Sequence, residues 1–118
     1  MFFFLLDYSD EMLSWTPSDD ALEDLCHTIG SATFQLGIEL GLDIVTLQSI
    51  EIKHKELIDQ TRAVLQKWKS EKCSHKQINY PLKTLAKSLK RVGRLNSIDY
   101  LDEHFELRSK RRKTTSIS

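Results

Sequence analysis

From about residue 18 onward the apolar residues of this chain recur mainly every three or four positions. That spacing lines one face of a helix and cannot line one face of a strand, so it restricts the chain to an all-α fold. Leu22, Leu25, Cys26 and Ile29 fall at i, i+3, i+4 and i+7. Ser18, followed by Asp19 and Asp20, offers side-chain oxygens to the free amide hydrogens of a helix start and negative charge to the positive end of its dipole. Gly30 closes this first predicted helix.

A second predicted helix begins near Ser31 and runs through Phe34, Leu36, Ile38 and Leu40 to Gly41, which can take the left-handed conformation that stops it. Asp43 caps a short third, with apolar positions Ile44, Leu47 and Ile50. The longest stripe, Leu57, Ile58, Thr61, Val64, Leu65 and Trp68, predicts a fourth helix ending near Lys72, with Arg62, Lys67 and Lys69 on its polar side. A loop over residues 73–77 precedes a fifth, carrying Leu82, Leu85, Ala86, Leu89 and Val92; Pro81 is tolerated in its first turn and Gly93 marks its end. Asn96 or Ser97 opens a sixth, with Ile98, Leu101 and Phe105 facing inward. Six amphipathic helices on short loops predict an antiparallel bundle, and 118 residues are enough for one domain with a single core.

Three segments follow: an N-terminal arm over 1–17, the bundle over 18–107 and a tail over 108–118. The opening Phe2-Phe3-Phe4-Leu5-Leu6 has no basic flank before it and meets Asp7 at once. It falls short of a signal-peptide core of about 7 to 15 apolar residues and of a membrane span of about 20. The arm is expected to pack onto the domain with Met12, Leu13 and Trp15; a contact with a partner is the other reading. The tail holds a single apolar residue and cannot bury enough surface to order itself.

In this order and at these spacings, Leu36, Leu40, Gly41 and Leu42, then Leu47, Ile50 and Glu51, then Leu57, Gln60, Leu65 and Trp68, then Leu85, Leu89, Val92 and Ile98 resemble the death-domain pattern, over residues 19–106. The resemblance implies a six-helix module that assembles apoptotic or innate immune signalling complexes through asymmetric contacts between unlike faces. The runs Leu36 to Leu42 and Ser88 to Val92 look closest to death domains of adaptors that bridge a sensor to an initiator caspase. One position departs: the family commonly has a core Trp seven residues before the Leu of its Leu-Gly-Leu segment, and Thr33 stands there, beside Phe34. Either the second helix is rotated so that Phe34 fills the space, or the core is smaller there.

The formal net charge of zero conceals two halves. The first 52 residues hold ten acids and no Lys or Arg, whereas all 17 basic residues lie from Lys53 onward against seven acids. Lys83, Lys87, Lys90, Arg91 and Arg94 step by three and four along one face of the fifth helix. Asp19, Asp20, Glu23, Asp24, Glu39, Asp43 and Glu51 gather on the first three helices. Faces of opposite sign can join unlike surfaces head to tail, so the expected partners are other death-domain proteins, with self-association a further outcome.

Five basic residues, Arg108, Lys110, Arg111, Arg112 and Lys113, crowd the tail; they read as a nuclear-localisation signal on an otherwise cytoplasmic protein, as an anchor for acidic lipid or nucleic acid, or as a solubilising end. They also place Thr114 before a basic-directed kinase. The alternative function is a small helical nucleic-acid-binding protein using the fifth helix and the tail, but the ten acids of the first half would be repelled by phosphate. Membrane binding by bulk charge is not expected either.

No Gly-rich phosphate loop, Gly-x-Ser-x-Gly elbow or His-Glu-x-x-His helix occurs in the sequence, so neither enzymatic activity nor a cofactor is expected. The spacings within Cys26-His27 and Cys73-x-His75 do not suit a compact zinc site. Cys26 lies on an apolar stripe as a small core residue, and His54 and His104 sit in charged surroundings.

Overall fold

The computed structural model describes residues 14–73, 78–101 and 103 of the chain, and these are helical with turns between. We label the helices α1 (Asp19–Ile29), α2 (Thr33–Glu39), α3 (Ile44–Lys53), α4 (Leu57–Trp68), α5 (Pro81–Arg91) and α6 (95–101). Residues 1–13, 74–77, 102 and 104–118 lie outside the described residues. The expectations for Met12, Leu13, His75, His104, Phe105 and Thr114, and for the arm up to residue 13 and the whole tail, fall there.

Two helix starts, those of α1 and α3, follow side-chain caps. The Ser18 hydroxyl accepts the Ala21 N–H at 3.2 Å, and the Asp43 carboxylate accepts the Thr46 N–H at 2.9 Å. Each satisfies an amide that the first turn leaves without a partner. Ser18→Ala is expected to cost about 1 kcal/mol, read as a lower urea midpoint with an unchanged slope. At the far ends, Gly41 (φ 92°) and Gly93 (φ 78°) adopt left-handed backbone that a Cβ disfavours. The fourth helix does not run uniformly to Lys72: it ends at Trp68 and continues as a π turn over Lys69–Cys73.

α4 lies at the centre, packing against α1, α2 and α3, while α5 packs on α2. The main core joins Leu22, Leu25 and Ile29 of α1, Leu36 of α2, Leu65 and Trp68 of α4, and Leu82, Leu85 and Leu89 of α5. Ile98 and Leu101 of α6 complete it, and Trp15 of the arm packs partly against it. The Thr28 and Ser97 hydroxyls meet at 2.5 Å and the Tyr100 hydroxyl donates to Asp24 at 2.9 Å, fastening α6 to α1. A smaller cluster of Leu42, Leu47 and Val64, with Phe34 and Ile50 partly buried against it, sits between α3 and α4. Gly37 lets α3 approach this closely, since a Cβ there would overlap the Leu47 side chain.

Thr33 is the buried residue at the departing position, and Phe34 is half-buried in the smaller cluster. The second of the two expected arrangements therefore holds, with a small, polar filling. Thr33 and Thr61 meet hydroxyl to hydroxyl, with the carbonyls of Gly30 (2.7 Å) and Leu57 (3.0 Å) also in reach. The α2 register also differs from expectation at its start, because residues Gly30–Ala32 form a 3₁₀ turn and the α-helix begins only at Thr33.

The largest departure is α3. Of its expected inward positions, Leu47 is buried and Ile50 half-buried, but Ile44 is 56% exposed. Val45 and Ile52, seven residues apart and so on one face, are 71% and 84% exposed. Ile38 and Leu57, expected on inward stripes, are 38% and 44% exposed. α3 carries apolar residues on more than one side, and spacing alone does not reveal which side of such a helix faces the core.

Candidate functional site

α5 is strongly amphipathic. Leu82, Leu85 and Leu89 are fully buried, which turns Lys87, Lys90 and Arg91 outward. The other two residues of the expected basic row are less exposed. Lys83 is half-buried, its ammonium 5.8 Å from the centre of the Tyr80 ring, within cation–π range. Arg94 is half-buried beyond the end of α5, with Nη2 donating to the Ser31 hydroxyl at 3.2 Å and Nε buried with no hydrogen-bond partner among the described residues.

The acidic residues do not form a patch kept apart from the basic ones. Arg91 Nη1 donates to Glu39 Oε1 at 3.2 Å, so one member of each set is engaged with the other inside the same chain. Glu23 takes both ends of the Arg62 fork at 2.6 Å, while the third nitrogen of that guanidinium donates to Asp59, also at 2.6 Å. Asp19 accepts from Lys69 at 2.9 Å and from Gln66 at 3.3 Å. Asp24 receives Tyr100, and Asp43 caps α3. Asp20 and Glu51 remain as exposed members of the set.

The hydrogen bond from Lys69 holds the Asp19 carboxyl below the usual carboxylate range, the one from Arg62 does so for Glu23, and the one from Thr46 for Asp43. A depressed folded-state pKa means that the unfolded chain binds more protons in acid. The stabilisation is present above about pH 4, where unfolded carboxyls are ionised, and is lost as pH falls through the lower folded values. The melting temperature followed by circular dichroism is expected to fall as pH drops from about 4 toward 2. Asp19→Asn flattens part of that fall.

Burial pushes the Cys26 thiol up to about 11, and its sulfur donates to the Leu22 carbonyl at 3.2 Å, as befits a core residue. Cys73 is also buried. Among the described residues no three His, Cys, Asp or Glu side chains gather as a metal site, and no helix is long and apolar enough to cross a membrane.

Sequence reasoning missed the cross-helix pairs Arg62 with Glu23 and Tyr100 with Asp24, and the apolar groove between α3 and α4. Arg62 had a local signal in Asp59, three residues before it on the same helix face. The groove had one too, in the apolar residues Val45 and Ile52 that α3 carries off its expected inward stripe.

The family model described as Death domain matches residues 19–105. The chain belongs to the death-domain family, whose members are non-enzymatic interaction modules. No curated protein and no solved structure matches it.

Proposed function

We propose that this chain binds other death-domain proteins and assembles them into a signalling complex controlling cell death or innate immunity, with the outward face of α5 docking on an acidic face of the neighbour. The observation that carries this is the row Lys87, Lys90 and Arg91, turned outward by the buried Leu82, Leu85 and Leu89. Asp20 and Glu51 are the exposed acids best suited to the complementary role, because Asp19, Glu23, Asp24 and Glu39 already hold partners. Contact between unlike faces does not close on itself as a two-fold dimer does, so it can extend into rings or helical stacks. A cytoplasmic adaptor that leads to an initiator caspase is the setting the sequence pattern favours.

The test is capture of a panel of purified death domains, including this chain itself, on the immobilised full chain. At physiological ionic strength at least one is expected to bind, and binding weakens as salt rises because exposed charges are screened over about 8 to 10 Å. No capture across the panel, or salt-steep binding to duplex DNA instead, would overturn the proposal.

A further inference from the structure

A second surface lies on the side of α3 that faces away from the core. Val45 and Ile52, two turns apart on one face, are the two most exposed large apolar side chains among the described residues, and the buried Leu47 points to the opposite side of the same helix. Gln48 and Ser49, both exposed, fall between them on the outward face. A groove of about 600 Å³ between α3 and α4 borders this face, with Val45, Ser49 and Lys53 on its α3 wall and Ala63 on the α4 side. Exposed apolar residues gathered on one face mark a contact surface more often than residues scattered singly.

The face is complementary to itself. α3 spans Ile44–Lys53, so its midpoint falls between Gln48 and Ser49, and Val45 and Ile52 stand equally far from it. Turning the helix end for end about that midpoint exchanges Val45 with Ile52 and brings Lys53, exposed at one end, to Asp43, exposed at the other. A second α3 laid antiparallel on the first therefore sets apolar against apolar and cation against anion. It also sets the positive end of each helix dipole beside the negative end of its neighbour. Asp43 caps α3 through Thr46 and feels Lys67 and Lys72 of its own chain, yet the residue stays exposed. Outside α3, the exposed large apolar residues Ile38, Leu57, Tyr80 and Leu95 stand singly on α2, on α4, before α5 and on α6. Among the described residues, the best match for the α3 face is thus another α3.

We infer that α3 is a self-association face, through which two copies of the chain join antiparallel about a two-fold axis, Val45 of each against Ile52 of the other and Lys53 against Asp43. Such a contact uses the same patch on both copies and closes at two. It is independent of the α5 contact proposed above, which joins unlike faces and can extend. α3 is ten residues, about 15 Å, long. One helix pair of that length falls short of the roughly 800 Å² per partner of a stable interface, so the dimer is weak, with a Kd of about 0.1 to 1 mM. At that affinity it acts chiefly between copies that another contact already holds close together.

Nuclear magnetic resonance spectra of the isotope-enriched full chain, recorded from about 20 µM to about 2 mM, test this. The amides of Val45, Gln48, Ser49 and Ile52 are expected to shift with concentration, and equally so in Lys87→Glu, where the α5 contact is disabled. Ile52→Glu changes an exposed position and is expected to keep the wild-type melting temperature while weakening the association at least about tenfold. Orientation is read by mixing enriched chain with unenriched Lys55→Cys chain carrying a nitroxide; Cys26 and Cys73 are buried and do not compete for the label. Broadening in the enriched chain is expected to be strongest at Asp43 and Ile44 and to weaken toward Ile52. Shifts that are absent, or that persist in Ile52→Glu, overturn the inference, as does broadening strongest at Ile52. No broadening between chains also overturns it, by leaving the face to a different partner.

Discussion

Trp68→Ala is expected to remove most of the stability of the bundle. Trp68 is fully buried and lies at the end of α4, the helix that packs against α1, α2 and α3. Truncating a buried Trp costs about 3 to 5 kcal/mol, against a total of roughly 5 to 15 for a typical domain. For a bundle of this size that corresponds to a fall in melting temperature of roughly 15 to 30 °C. Its indole Nε1 is buried with no hydrogen-bond partner among the described residues, and a donor buried in that way opposes folding. Trp68→Phe removes that donor along with part of the ring volume, so its loss should be clearly smaller than that of the Ala variant. Urea unfolding followed by circular dichroism distinguishes the two. Equal losses would mean that ring volume does not dominate at this position.

Lys87→Glu is expected to have the opposite profile, with little effect on folding and a large effect on binding. Lys87 is exposed on the outward side of α5, and substitutions at such positions usually change stability by no more than about 0.5 kcal/mol. Reversing a charge at the edge of a contact reduces electrostatic steering and places like charges against each other in the complex. Arg91→Glu is the less clean probe of the same face, because it also breaks the pair with Glu39. Arg91 is 64% exposed in that pair, so the loss should lie within the roughly 0 to 1 kcal/mol of surface ion pairs. Comparing the two variants separates the intermolecular role of the face from its intramolecular one.

Much of the fold was legible because its signals are local. Ser18 and Asp43 cap helices through amides three residues away, and Gly41 and Gly93 end them through their own backbone angles. The inward stripes of α1, α4 and α5 follow from spacing, because in each the apolar and charged residues segregate to opposite sides. α3 lacks that segregation, so its orientation depended on what α4 and Gly37 allow to pack against Leu47.

The candidate site was legible only in part, for a related reason. That Lys87, Lys90 and Arg91 share a face follows from helical spacing, whereas the engagement of Arg91 with Glu39 depends on α5 packing against α2. The polarity between the two halves of the sequence is likewise partly spent inside the fold, on Arg62 with Glu23 and Lys69 with Asp19. The charge left outside these pairs is less than the sequence suggested, and the exposed row on α5 is the part of it proposed to meet a partner.

The central claim is that this face of α5 binds the partner. Isothermal titration calorimetry of the wild-type chain and of Lys87→Glu, each against a death domain that the immobilised chain captures, tests it at physiological salt. The account expects an affinity loss of at least about tenfold with an unchanged circular dichroism spectrum and melting temperature. Equal affinities for the two proteins would contradict it.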